Sequence, residues 1–174
     1  MDRVAIVAVA IGSNLGDRHA HVRFAGAELA QLLTRLKISS VYETSPVGVV
    51  VPPGLPGPQG DFLNAAAVGE TSLQPRALLD ALLAIEGARG RERPFPGAAR
   101  TLDLDLILFA DRVIDQPGLR VPHPRFRDRA FVLEPLAEIA PDLRDPVTGR
   151  TVGELWIELA RLNSRTPGAE ARRP

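Results

Sequence analysis

Asp103 and Asp105 stand one residue apart in the segment Arg100-Thr101-Leu102-Asp103-Leu104-Asp105-Leu106-Ile107-Leu108-Phe109, which is otherwise mostly apolar. Such a run reads as a β-strand. Strand alternation sends both carboxylates to one face, roughly 6–7 Å apart at Cα. Two carboxylates that close repel each other unless a cation or a shared proton lies between them. Mg²⁺ takes one or two carboxylates together with substrate phosphates, and paired ions about 4 Å apart serve phosphoryl transfer. Taken alone, the pair better fits the wet face of an edge strand, where alternating aspartates are simply solvated.

The surroundings add positive charge. Arg89, Arg91, Arg93 and Arg100 crowd the approach to the aspartates, and His123 sits between Pro122 and Pro124, followed by Arg125, Arg127 and Arg129. Guanidinium groups bind phosphate through strong, charge-assisted bidentate bonds, so a polyphosphate bridging arginines and aspartates would explain both; a solvated basic loop would explain the arginines alone. His123 could serve as a phosphate ligand, as an acid or as a structural residue. The turn Gly12-Ser13-Asn14-Leu15-Gly16-Asp17 follows an apolar run and could present N–H groups to an anion, but it has neither the P-loop lysine nor a G-x-G-x-x-G pattern. Phe62 and Phe131, with Asn64 near the first, are either core residues or a slot for a planar heterocycle read on its edge by an amide.

Regular elements must hold these groups. Val4–Ile11 reads as a buried strand, Asp17 as the cap of a helix reaching about Leu36 with Phe24, Ala27, Leu32 and Leu36 inward, and Ile38–Glu43 as a second strand. Residues 47–60 hold four prolines and four glycines and read as a long loop. Phe62–Val68 is a strand, Gln74-Pro75 opens a helix with Leu78, Leu82 and Ile85 inward, and the aspartate strand follows a second loop over 87–99. Phe131–Ile139 and Thr151–Leu162 read as helices, with a frayed tail over 164–174 outside a single domain of 1–163. The order β-α-β-β-α-β is that of a ferredoxin-like α+β sandwich, an antiparallel sheet with helices on one face and helical additions at the C-terminus.

The 174 residues suit one domain, and 45% hydrophobic with 24% charged residues is ordinary for a globular protein. Zero net charge and 5% aromatic residues argue against nucleic acid as a partner. No cysteine is present, which excludes thiol nucleophiles and zinc–thiolate sites. Lys37 is the sole lysine, so arginine carries nearly all the positive charge. No segment reaches the ~20 apolar residues of a membrane span, and the N-terminal run passes into Gly12-Ser13-Asn14 without a cleavage pattern. A cytoplasmic monomer with no membrane partner is expected.

Five segments then align in order: Ile11–Asp17, Ser40-Val41-Tyr42-Glu43-Thr44, Asp61-Phe62-Leu63-Asn64-Ala65-Ala66, Arg100-Thr101-Leu102-Asp103-Leu104-Asp105 and Val121-Pro122-His123-Pro124. Over roughly residues 4–162 the chain closely resembles the 6-hydroxymethyl-7,8-dihydropterin pyrophosphokinases of folate biosynthesis. The resemblance implies a diphosphotransferase that moves the β,γ-diphosphate of ATP, its co-substrate, onto the pterin hydroxymethyl group and releases AMP. It implies Asp103 and Asp105 as ligands of two Mg²⁺ ions, with Arg91 and Arg100 beside them in catalysis. Glu86, Arg93, His123 and Arg129 would handle the nucleotide; Phe62 and Phe131 would sandwich the pterin, and Asn64 and Thr44 would read its polar edge. Phe62 stands where the family often has tyrosine, and Pro94–Ala99 lacks the usual tryptophan, with Phe95 a candidate replacement. Some relatives are fused to other folate enzymes; a single activity is expected here. A ferredoxin-like binding module, or a metal-dependent phosphotransferase acting on another substrate, is the alternative.

Overall fold

The computed structural model describes residues 4–46, 60–90 and 99–165. Strand β1 (Ala5–Ser13) leads into helix α1 (Arg18–Leu32), then β2 (Thr34–Ile38), β3 (Tyr42–Thr44), β4 (Phe62–Thr71), α2 (Pro75–Gly87) and β5 (Asp103–Phe109). A short hairpin, β6 (Ile114–Gln116) and β7 (Leu119–Val121), precedes α3 (Ala130–Ile139) and α4 (Val152–Arg165). The main sheet runs β2-β4-β1-β5, with β3 also on β4, and every pairing is antiparallel. This is the expected ferredoxin-like α+β architecture. Among the described residues, no helix is long and apolar enough to cross a membrane.

β1 is apolar from Ala5 to Ile11, and over Val7–Val9 both of its faces are covered. Val7, Val9 and Ile11 join Leu63, Ala65, Ala67, Leu104 and Leu106 in a core closed by Val22, Ala25 and Leu29 of α1 and Leu78, Leu82 and Ile85 of α2. On the opposite face Ala8, Ala66 and Ile107 pack under Val132, Leu133 and Leu136 of α3 and Val152 and Leu155 of α4. The C-terminal helices therefore form a second layer on the far side of the sheet, whereas the sequence reading placed helices on one face only. Burial outweighs local signals here. The Asp17 side chain accepts the Ala20 N–H at 2.9 Å, a cap worth about 1 kcal/mol, while each fully buried leucine contributes about 1.5–3 kcal/mol.

α1 ends at Leu32, not near Leu36; Val22, Ala25 and Leu29 are its buried residues, Phe24, Leu32 and, beyond the helix, Leu36 pack against the same core as expected, and Ala27 faces solvent instead. No glycine, proline or polar cluster marks the stop. The cause lies across the sheet, where Leu33 turns extended and Thr34–Ile38 pairs with β4. Gly69 permits this: a Cβ there would stand 2.9 Å from Leu33 Cβ and 3.0 Å from the Thr34 carbonyl oxygen. Gly69→Ala is accordingly expected to cost about 1–3 kcal/mol through overpacking, read as a lower urea midpoint. An unchanged midpoint would remove this account of the helix stop.

Candidate active site

The face under α3 is apolar at one end and polar at the other. β1–β5 pairing sets Gly12 opposite Asp103 and Ala10 opposite Asp105, and β1–β4 pairing sets Gly12 opposite Asn64. Asn64, Gly12, Asp103 and Asp105 thus share one face of adjoining strands, beyond the Ala8–Ala66–Ile107 patch that the helices seal. A Cβ on Gly12 would lie 3.6 Å from Asn64 Oδ1, 3.9 Å from Phe62 Cδ1 and 4.0 Å from Asp103 Cβ. Gly12 is the floor on which the two sets of residues meet. No sequence signal separated this role from that of an ordinary turn glycine.

Positive groups surround the aspartates. The Arg100 guanidinium pairs with Asp103. Arg129 Nη1 lies 3.6 Å and His123 Nε2 4.0 Å from Asp105 Oδ2, distances of charge attraction rather than hydrogen bonding. The main chain holds His123 there, its N–H donating to the Ile107 carbonyl at 2.9 Å. Burial pushes the Asp105 carboxyl up, the nearby Asp103 charge adds to this, and His123, Arg129 and Arg100 oppose it. Burial likewise lowers the His123 imidazole against the pull of Asp105, and it lowers Arg129, with Arg125 adding repulsion. Charges of both signs are held partly desolvated in one place, which is how functional sites perturb titration.

On the other flank the Asn64 Nδ2 donates to Thr44 Oγ1 at 2.7 Å, and Thr44 pairs across the sheet with Phe62. Phe131 lies in the first turn of α3, half-buried against the second core, with the Arg129 guanidinium 5.5 Å from its ring centre. The two phenylalanines lie on the same side of the sheet. Glu86 is 1% exposed at the end of α2, and its Oε1 accepts the Leu104 N–H at 2.7 Å. It braces the strand between the two aspartates.

Glu86 also lines a groove of about 640 Å³ that runs from Asp105 and His123 along Leu79 and Leu83 of α2 to the β6–β7 hairpin. The sequence reading missed this hairpin. Its signal was Pro117-Gly118, a turn dipeptide, and Gly118 does adopt φ 71°. Two of the expected phosphate arginines, Arg91 and Arg93, lie outside the described residues, as do Phe95 and most of the proline-rich 47–60 loop. Arg89 and Arg127 turn away from the aspartates: Arg89 stacks 4.0 Å over Phe24, and Arg127 grips Asp145.

The family model for 7,8-dihydro-6-hydroxymethylpterin-pyrophosphokinase matches residues 8–141. The chain belongs to this pyrophosphokinase family. A relative from Pseudomonas aeruginosa, named 2-amino-4-hydroxy-6-hydroxymethyldihydropteridine pyrophosphokinase, is 44% identical over 151 residues, covering 86% of this chain and 88% of its own length. The Bacillus subtilis protein of the same name is 43% identical over 161 residues, covering 91% and 92%. Pyrophosphokinase structures agree on the fold. A Plasmodium falciparum HPPK-DHPS crystal structure with pterin and p-hydroxybenzoate superposes with a TM-score of 0.73 at 15% identity, covering 99% of this chain. The chain spans 46% of that longer protein.

Proposed function

We propose that this chain transfers the β,γ-diphosphate of ATP to the hydroxymethyl group of 6-hydroxymethyl-7,8-dihydropterin at the Gly12 floor, releasing AMP for folate biosynthesis. The carrying observation is the meeting, over a residue without a side chain, of an aromatic and amide flank with an aspartate, arginine and histidine flank. Membership of the pyrophosphokinase family supports the choice of substrates.

Each flank has a task. Phe62 and Phe131 offer faces for stacking a flat heterocycle, while Asn64, oriented by Thr44, offers its amide to the pterin's edge. Arg100, His123 and Arg129 face the aspartates and neutralise charge on the phosphate oxygens, joined in this role by Arg91 and Arg93. The groove beside Glu86, with the leucines of α2 on one side and polar groups such as Gln116 and Arg120 on the other, suits the nucleoside in size and lining. Catalysis on this reading is chiefly positioning and electrostatic stabilisation, with the hydroxyl aligned for attack on the β-phosphorus.

The donor set fits Mg²⁺. Asp103 and Asp105 supply hard oxygen ligands from one strand face, and the raised carboxyl of Asp105 reflects burial first and the neighbouring Asp103 charge second, both of which a cation would offset. Two ions held by this pair would supply charge neutralisation at the phosphates and a lowered pKa for the attacking hydroxyl. On this reading the enzyme acts as a monomer, and reliance on ATP supports a cytoplasmic setting.

The deciding experiment measures AMP release from ATP with and without 6-hydroxymethyl-7,8-dihydropterin, across a Mg²⁺ titration. Release that depends on both supports the reading. Nucleotide turnover indifferent to the pterin would point to another phosphotransferase, and binding of neither ligand to a module without this activity.

A further inference from the structure

The turn after β1 carries a buried polar side chain, Asn14, beside the site. Asn14 is 6% exposed. Its Oδ1 accepts the Arg100 N–H at 2.7 Å, and its own N–H donates to the Arg100 carbonyl at 3.0 Å. Both peptide groups flanking the Arg100 Cα are thereby fixed from one residue, as if Asn14 lent that segment a short extra strand. Its Nδ2 also points to the Gly60 carbonyl at 3.5 Å, and a Cβ on Gly60 would sit 3.7 Å from the Asn14 carbonyl oxygen. Arg100 leads into Asp103, and Gly60 leads into Phe62.

We propose that Asn14 is a positioning residue for the transfer, holding the Arg100 main chain so that its guanidinium stays in register with Asp103 and with the Phe62 flank across the Gly12 floor. The inference rests on the pyrophosphokinase reading above. Its physical basis is that a buried amide can satisfy an N–H and a carbonyl at once, whereas a shorter or apolar side chain leaves the Arg100 N–H without its partner. A displacement on the order of 1 Å at a phosphate ligand is enough to cost about 100-fold in rate. On this account Asn14 acts on the transfer chiefly through Arg100.

A double-mutant cycle tests this. Asn14→Ala, Arg100→Ala and the double variant are assayed for kcat at saturating ATP, Mg²⁺ and dihydropterin, at a temperature well below each variant's melting point. Asn14→Ala is expected to lower kcat by about 10- to 100-fold. In the Arg100→Ala background the same change should cost less than about threefold, because the group it positions is gone. Asn14→Asp keeps an oxygen for the Arg100 N–H and should recover most of the alanine loss. A full multiplicative loss in the double variant, or a wild-type kcat for Asn14→Ala beside a crippled Arg100→Ala, overturns the inference alone. A wild-type kcat for Arg100→Ala overturns the site reading and the inference with it. Should Asn14→Ala fail to fold, Asn14→Ser carries the same cycle.

Discussion

Asp105→Asn is expected to abolish turnover, lowering kcat by at least about 10³-fold, while leaving the ligand-free protein as stable as the parent or more so. The substitution keeps shape and removes charge. In the ligand-free protein that charge is unfavourable: burial raises the carboxyl, Asp103 raises it further, and attraction to His123, Arg129 and Arg100 does not make up the difference. The sign follows from linkage. A carboxyl whose folded pKa is raised lets the native state hold its proton longer than the unfolded chain does. Stability therefore falls as pH rises from the ordinary aspartate value of about 3.9 through the raised value, and the cost persists above it. Asparagine carries no such cost, so the variant's melting point should match or exceed the parent's at neutral pH, and any gain should vanish in acid. The parent should gain thermal stability from Mg²⁺ with an ATP analogue, and the variant should gain far less. Calorimetry with the AMP assay checks all of this. A variant with near-parental kcat at saturating Mg²⁺ would sink the metal assignment, and one that melts well below the parent would sink the electrostatic account.

The second large effect lies away from the site. Asp145→Ala should cost about 3–5 kcal/mol, more than any single surface ion pair. Asp145 is fully buried and accepts bonds from Arg127 Nε at 2.7 Å, Arg127 Nη2 at 2.8 Å, Thr148 Oγ1 at 2.6 Å and the Val147 N–H at 3.1 Å. Truncation strands all of these donors and leaves a guanidinium only 26% exposed without its counter-ion. By contrast, Arg120 and Asp115 pair with side chains 65% and 78% exposed, where about 0–1 kcal/mol is the usual range. Burial alone would raise the Asp145 carboxyl, yet the bonds from Arg127, Thr148 and Val147 hold it below its ordinary value. Here the linkage sign is reversed: the stabilisation is present above about 3.9 and is lost as pH falls through the lowered folded value. Urea unfolding of parent and variant at neutral pH, repeated toward acid, reads both. A loss under about 1 kcal/mol at neutral pH would contradict the network's importance.

How much of this could be read from the chain varies with the range of the forces involved. Leu78, Leu82 and Ile85 were legible as the inner stripe of α2 because a helix's period is local. The early end of α1 was not, since it depends on Gly69, 36 residues further along the chain, making room for Leu33. Likewise Arg89, Arg100, Arg127 and Arg129 are alike as residues in a basic segment. Only the fold sends Arg100 and Arg129 to the aspartates, Arg89 to Phe24 and Arg127 to Asp145.

By itself, the sequence determined that Asp103 and Asp105 share a face, because a strand alternates every residue whatever surrounds it. It also determined the order of elements that makes an α+β sandwich, and the motifs whose joint order marks the pyrophosphokinase family. Tertiary structure alone decided that Gly12 separates the aspartate from the aromatic flank, that α3 and α4 seal the second face, and that Asn14 clasps Arg100 across 86 residues. The physical reason is one of range. Alternation and helical period are properties of adjacent bonds, whereas a register, a close approach or a shared hydrogen bond exists only once distant segments have paid the entropy of coming together.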